Sequence, residues 1–428
     1  MIDIALIRDD PESVRQALLK RIDSVDFSEL LEWDKRRRSS IGEVEKLKAE
    51  RNTVSKKIPV MKKSGEDVSS LIAEMKEVSE KIKTLDDTVH ELEGEIDGFI
   101  AGLPNIPTPD VPAGGKENNE VLREWGAPPK TEQIRDHVEL VDSLGLIDYT
   151  RGVKIGGNGF WLYRGYGARI EWALLNIFIE EHLADGYEFM LPPHLLVEGC
   201  GFTAGQFPKF VDDVFHLKAE SEAPANFLLP TAETALINIH RDEILDESLL
   251  PLKYFSYTPC YRKEAGSYRA KERGMIRGHQ FNKVEMFQYT RPEDSGTAFD
   301  ELLEKAERLV RKLGLHHRVS RLAAADCSAA AARTFDIEVW IPSMGDFVEV
   351  SSISDTYTYQ ARRGNIRFRR EESGKPEFIH ALNGSGLATS RILPAIVEHG
   401  QQADGSVRLP SIIAERIGTE VISPPEAT

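Results

Sequence analysis

The sequence predicts an α+β protein: an N-terminal antiparallel α-helical coiled-coil hairpin, followed by a larger domain built on an antiparallel β-sheet flanked by helices. Three observations carry this expectation. A seam of apolar residues recurs in alternating steps of four and three from Leu71 to Phe99, a stretch dense in Pro, Gly and Asn follows it, and strand-like segments then recur at irregular spacing. With 428 residues, the chain exceeds the roughly 100–200 of one domain, so two domains are the natural division.

The seam runs through Leu71, Met75, Val78, Ile82, Leu85, Val89, Leu92, Ile96 and Phe99. The preceding segment repeats the rhythm less cleanly at Leu30, Trp33, Val44, Leu47, Val54 and Ile58, with Arg37, Ser40 and Arg51 at intervening positions. Two long helices are expected, with Pro59 and Gly65 marking the turn between them. The first helix carries "DKRRR" and "KLKAERNTVSKK" and the second is richer in acid, so one face of the arm is basic. A charge-laced coiled coil and a nucleic-acid backbone contact both fit that face.

Helix signals stop at "GLPNIPTPDVPAGGKENN", which reads as a linker. The expected divisions are 1–103 for the arm, 104–120 for the linker and 121–428 for the second domain. In that domain "GFWLYRGYGARIEWALLNIFIEEHLADGYEFMLPPHLL" reads as a strand, a helix from about Gly167 to Leu183 and a strand ending at Pro192–Pro193. Further strands are expected around 227–230, 254–262, 279–290, 337–342, 347–353 and 364–369, too irregular for βαβ units.

Composition narrows the function. No apolar run approaches the ~20 residues that cross a bilayer, and "MIDIALIRDDPESV" lacks the basic start and apolar core of a signal peptide, so a cytoplasmic location and no membrane are expected. Cys200, Cys260 and Cys327 lie far apart, which suggests neither a disulfide framework nor a cysteine zinc site. The net charge of −16 weighs against a nucleic-acid partner at face value, but the basic arm shows that local charge differs from the total.

Neither a Walker A sequence nor GxGxxG is present, so any phosphate must be held otherwise. Arg262 and Arg391 are the candidates, because a guanidinium stays charged and binds phosphate in two-pronged fashion. Arg262 belongs to "CYRKEAGSYRAKERGMIRGHQFNKVEMFQY", which places Arg262, Glu264, Arg273, Arg277, His279, Lys283 and Glu285 among aromatic residues. Either a solvated hairpin or two strands gripping a charged ligand could use this pattern.

Read with "PTAET", "VEVSSISDTYTYQARRGNIRFR" and "HALNGSGLATSRILPAIVEHGQQADGSVRLP", that stretch resembles the bacterial-type seryl-tRNA synthetases, which are class II aminoacyl-tRNA synthetases. The resemblance covers nearly the whole chain. Motif 1 resembles "GYEFMLPPHLL", with Pro193 at the motif proline; motif 2 resembles the stretch around Arg262, and motif 3 "LNGSGLATSR".

The resemblance implies a serine–tRNA ligase with a class II catalytic domain, using ATP and Mg²⁺, acting on L-serine and tRNA(Ser), and forming a homodimer through that domain. Charging of tRNA(Sec) is left open. It further implies an ATP site of Arg262, Lys263, Glu264, Gly278, Phe281, Glu349, Val350, Ser351, Ser352 and Arg391. Among these, Arg262, Glu349 and Arg391 would be catalytic, Phe281 and Arg391 would sandwich the adenine, and Glu349 and Ser352 would hold Mg²⁺. The implied serine pocket is Thr231, Ala232, Glu233, Glu285 and Ser385, and the implied tRNA contacts are Arg36, Arg37, Lys48, Arg51 and Lys56.

Several positions depart from the family's usual pattern. "AADCSAAAAR" stands where "TGDMGFAAAK" is common, placing Ala324, Ala325, Ser328 and Ala329 at new positions. "SISD" replaces "SCSN" through Ile353 and Asp355, and "ATSR" replaces "AVGR". Three other readings stand beside the synthetase reading: a specialised paralogue serving a secondary pathway, which the "AADCS" substitutions support, a ligase that loads a carrier protein, and a catalytically inactive RNA-binding homologue.

Overall fold

The computed structural model describes residues 1–129, 134–218, 226–264 and 274–425. Arg273, singled out in the sequence, lies outside them. The chain divides into two units: Ile2–Leu19 with Asp23–Pro104, and Met1 and Lys20–Ile22 with Asn105–Thr428.

The first unit holds helices α1 (Ile4–Asp9), α2 (Pro11–Leu18), α3 (Ser28–Lys63) and α4 (Ser69–Gly102). Asp3 and Asp10 cap α1 and α2 by accepting from the backbone N–H groups of Ala5 and Ser13. Along α4, Met75, Ile82, Leu92 and Ile96 of the expected seam are buried, and Ile100 extends it. The hairpin is antiparallel: Trp33 meets Phe99 with ring centroids 6.3 Å apart, while further along α3 Lys48 pairs with Asp86 at 3.1 Å. At ~1.5 Å per residue each helix is about 50 Å long.

One expectation for the arm needs correction. Pro59 does not mark the turn, because α3 continues through it to Lys63. The proline forgoes the N–H bond to the Ser55 carbonyl, but only the last turn of α3 lies beyond it. The turn lies at Gly65, whose φ of 80° suits glycine. The sequence also gave no sign that Asp34 would be buried at the base of α3, where it gathers Arg8, Arg37 and Arg38 at 3.3, 2.9 and 3.0 Å.

The second unit is built on an eight-stranded sheet among the described residues. In chain order its strands are β1 (Glu120–Trp125), β2 (Glu188–Met190), β3 (Leu252–Tyr261), β4 (Gln280–Thr290), β5 (His317–Arg321), β6 (Arg333–Ile341), β7 (Asp346–Asp355) and β8 (His380–Ala388). They lie side by side as β1-β5-β6-β7-β8-β4-β3-β2. All neighbours pair antiparallel except β2 and β3, whose parallel pairing makes the sheet mixed at that edge. Residues 104–120, read as a linker, are packed onto this unit from Asn105, whose side-chain amide donates to the carbonyls of Ala330 and Thr356 at 2.9 Å.

Strand alternation separates chemistry from core. On β4, Val284 and Met286 enter an apolar cluster with Leu174, Phe178 and Ile392, from the helices Tyr166–Ala184 and Thr389–Gly400. Phe281, Lys283 and Glu285 face the other way, into a cavity. Close approach fixes Gly386 on β8, since a Cβ there would meet Nε2 of buried His182 at 2.1 Å.

Candidate active site

The cavity occupies the polar face of the sheet, with a volume of about 670 Å³. That suits a ligand of nucleotide size, since ligand sites commonly span ~300–1,000 Å³. Its floor comes from alternate residues of four strands: Lys283 and Glu285 of β4, Thr334, Asp336 and Glu338 of β6, Ser352 and Ser354 of β7, and Asn383 and Ser385 of β8.

Of the expected residues, Arg262, Glu264, Gly278, Phe281, Glu349, Val350, Ser352 and Arg391 line this cavity together with Thr231, Glu233, Glu285 and Ser385. Three lie elsewhere. Ala232 is buried in the apolar cluster behind the wall, Ser351 donates its hydroxyl to the Ser385 carbonyl at 2.5 Å, and the Lys263 backbone N–H donates to the Asp213 carbonyl at 3.0 Å.

At the end of β3, Arg262 holds its guanidinium 5.3 Å from the Phe281 ring centroid, and its Nε donates to the Pro230 carbonyl at 3.3 Å. Among the described residues its other guanidinium N–H groups have no hydrogen-bond partner. Glu264 has a φ of 51° and pairs with Arg277. Gly278 admits Trp161, whose Cζ3 would lie 2.2 Å from an added Cβ. Across the cavity, Arg391 donates to the Glu349 carbonyl at 2.8 Å and pairs with its carboxylate at 3.3 Å. Burial pushes the Glu349 carboxyl upward, but Arg391 and Arg262 outweigh it and hold it below its ordinary range.

A second polar group sits beside the first. Lys283 pairs with Glu285 at 2.6 Å and donates to the Thr231 hydroxyl at 2.7 Å, while the Ser385 hydroxyl donates to Glu285 at 3.3 Å. Glu233 opens the short helix Glu233–Leu236. Burial, and then the neighbouring Glu285 carboxylate, push it up to about 7. This part of the cavity thus offers acceptors that take up positive charge readily near neutrality.

Sequence reasoning singled out Lys283 without giving it a role, and missed Asp336 and Arg21. Lys283 was visible as the residue two before Glu285, and alternation alone assigns both to one face. Asp336 lines the cavity with a buried Oδ1 that has no hydrogen-bond partner among the described residues, and burial beside Glu349 raises its carboxyl well above the usual range. Arg21 braces the segment that carries "AADCSAAAAR", donating to the carbonyls of Ala324, Asn105, Ala331 and Ser328 at 2.8–3.1 Å. Only tertiary structure joins residues so far apart in sequence.

The departures from the family pattern are locally satisfied. Asp355 accepts from the Ser295 hydroxyl at 2.6 Å and from the Tyr357 N–H at 2.9 Å. Thr389 donates its hydroxyl to buried Glu171 at 2.5 Å, Ile353 packs in the core, and Ser328 and Ser390 line the cavity.

On the arm, Arg37 pairs with Asp34 and Lys48 with Asp86, which occupies two of the five expected RNA contacts. Arg36, Arg51 and Lys56 have no ion pair among the described residues.

Comparison with known proteins matches residues 1–107 to the seryl-tRNA synthetase N-terminal domain and residues 215–400 to the class II tRNA synthetase core domain (G, H, P, S and T). The chain is 59% identical over 423 residues to serine–tRNA ligase 2 of Clostridium acetobutylicum, covering 98% of this chain and 100% of the relative. It is 43% identical to the serine–tRNA ligase of Thermodesulfovibrio yellowstonii, over 99% and 100% of the two chains. The crystal structure of seryl-tRNA synthetase from Pyrococcus horikoshii complexed with ATP matches with a TM-score of 0.92 and 35% identity, each chain covered completely.

Proposed function

The chain belongs to the seryl-tRNA synthetase family, and on that footing we propose that its cavity activates L-serine with ATP and delivers the seryl group to the 3′ end of tRNA(Ser). The enzyme is an ATP-dependent aminoacyl-tRNA ligase. The observation that carries the assignment is the adjacency, in one cavity, of a cationic group around Arg262 and Arg391 and an acidic pocket of Thr231, Glu233, Glu285 and Ser385.

In this reading the serine carboxylate attacks the ATP α-phosphate, giving seryl-adenylate and pyrophosphate, and the tRNA hydroxyl then takes the seryl group. Arg262 binds the α-phosphate and stabilises the charge that grows there, with its plane held in advance by Phe281. Arg391 and Phe281 bound the adenine, and Glu264 and Gly278 shape that end. Glu233 and Glu285 take the serine ammonium and hydroxyl, with Thr231 and Ser385 supplying hydroxyls.

For Mg²⁺, the hard oxygen donors of Glu349 and Ser352 fit, and the orphaned Asp336 oxygen adds acceptor capacity close by. No three His, Cys, Asp or Glu side chains form a ready metal cluster among the described residues, so the ion would share its shell with phosphate and water. When bound, it would neutralise phosphate charge.

Glu233 gives the pocket a pH signature. A neutral carboxyl cannot counter an ammonium group, so kcat/KM for serine should rise with pH through about 7 and then level, while the KM for ATP stays flat. A flat serine profile between pH 5.5 and 8.5, measured by pyrophosphate exchange, removes Glu233 from ammonium binding.

The homodimer is proposed on the sheet edge formed by Glu188–Met190 and the segment after it, where Leu191 is 72% exposed, while Trp172 on the helix Tyr166–Ala184 is 55% exposed. Apolar exposure of this kind marks interaction surfaces. Sedimentation at micromolar concentration should give twice the 48.0 kDa chain mass. A fully active monomer contradicts the assignment.

The basic arm is proposed to hold tRNA, reading backbone and shape. Labelled serine should charge a tRNA with a long variable arm and fail with one lacking it; equal charging of both removes the tRNA(Ser) assignment. A carrier-protein ligase leaves this arm without a role, and an inactive homologue leaves Arg262, Glu349 and Arg391 without one. A specialised paralogue would carry the same chemistry. No helix is long and apolar enough to cross a membrane among the described residues, in keeping with the proposed cytoplasmic location.

A further inference from the structure

We propose that Gln360 is a positioning residue for serine recognition: it fixes Glu233 so that one carboxylate oxygen is presented to the substrate ammonium group. The inference rests on the serine-pocket reading above. Gln360 lies on the short helix Tyr359–Arg363, is completely buried, and is not among the residues lining the cavity. It therefore acts on the ligand only through another side chain.

Its hydrogen bonds fix both ends of the amide. The nitrogen donates to Glu233 Oε1 at 2.6 Å and to the Ala204 carbonyl at 3.0 Å, while the oxygen lies 3.2 Å from the Thr356 hydroxyl. Thr356 is itself anchored, because its backbone N–H and its hydroxyl both donate to the Ala381 carbonyl at 2.9 Å, so the deciding bonds of Gln360 are those to Glu233 and Ala204. Flipping the amide would put its oxygen against a carbonyl and a carboxylate, leaving buried acceptors facing one another. Only one orientation satisfies both Glu233 and the Ala204 carbonyl, and it ties down Oε1 of Glu233, leaving Oε2 for the cavity.

The charge balance around Glu233 points the same way. Burial and Glu285 of β4 oppose its ionisation, while Gln360, Lys283 of β4 and Arg262 at the end of β3 favour it. Gln360 is the foremost of the favourable influences. Without its N–H, Glu233 would both swing and hold its proton to higher pH, and serine would meet a neutral, misdirected carboxyl.

Two variants of the full-length enzyme test this by pyrophosphate exchange. Gln360→Met keeps the volume and removes the donor; Gln360→Glu keeps the shape and donates only when protonated. For Q360M, the KM for serine should rise about tenfold or more, as expected for losing a hydrogen bond to a charged group. Its KM for ATP should stay unchanged, and the midpoint of its serine kcat/KM profile should lie above that of the wild type measured alongside. For Q360E the serine defect should deepen as pH rises, which a merely structural role does not predict. Because the variants place unlike demands on folding, failure of one to fold leaves the other decisive.

Unchanged serine KM and pH midpoint in the folded variants overturn the proposal, as does a parallel loss in serine and ATP parameters. Wild-type enzyme without serine-dependent exchange would instead overturn the serine-pocket reading itself.

Discussion

Arg262→Ala is expected to lower serine-dependent adenylate formation by about 10²–10³-fold, the usual loss for one preorganised donor at developing charge. The variant should stay folded. Among the described residues, the guanidinium makes one hydrogen bond to protein, to the Pro230 carbonyl at 3.3 Å, and stacks on Phe281 at the cavity wall rather than within the core. Thermal unfolding should therefore be nearly that of the wild type. Near-normal exchange by a well-folded variant would remove Arg262 from the phosphate site. Lysine should rescue poorly, since an ammonium restores charge but not the planar fork.

Deleting Leu31 to Phe99 and closing the gap with a short linker should separate the two halves of the reaction. Trp33 and Phe99 lie side by side at the base of the hairpin, so the cut ends are neighbours. No cavity-lining residue lies between them in sequence, so pyrophosphate exchange should persist. Aminoacylation of tRNA should collapse. In the full-length enzyme, charge reversal at Arg36, Arg51 and Lys56 should weaken tRNA binding and flatten its salt dependence, each lost phosphate contact lowering the slope by roughly 0.7–0.9. Arg37 and Lys48 are poorer choices, because reversing them also breaks pairs with Asp34 and Asp86. Charging retained after deletion, or exchange and charging lost together, contradicts the assigned role of the arm.

The arm was legible because a seam on a long helix repeats: each expected residue from Leu71 to Phe99 is buried or half-buried in the hairpin. Pro59 misled because α3 runs one further turn past it to Lys63 despite the lost N–H bond. In the sheet, β3, β4, β6 and β7 were legible from apolar alternation, whereas β1 and β5 were not. "EVLREW" forms a wholly exposed edge strand, and "HRVSR" is too polar to signal one. β8 hid its strand character behind Asn383, Gly384 and Gly386, of which Gly386 answers to His182 rather than to strand propensity.

In the site, the resemblance named residues that the fold brings to one cavity, but it could not show which point elsewhere. Ser351 and Ser352 are adjacent, and alternation sends one hydroxyl toward Ser385 behind the cavity wall and the other into the cavity. Gln360 was invisible for a different reason. Its importance lies in a contact with Glu233 across 127 positions of sequence.

ATP–pyrophosphate exchange by the wild-type protein, with each of the twenty amino acids in turn, tests the central claim most directly. Serine should give the highest kcat/KM by a wide margin: alanine and glycine bring no hydroxyl to the polar groups of Glu285 and Ser385, and threonine adds a methyl to a pocket whose walls are tied together by Lys283 and Gln360. A higher kcat/KM for any other amino acid, or no exchange with serine, would contradict the account.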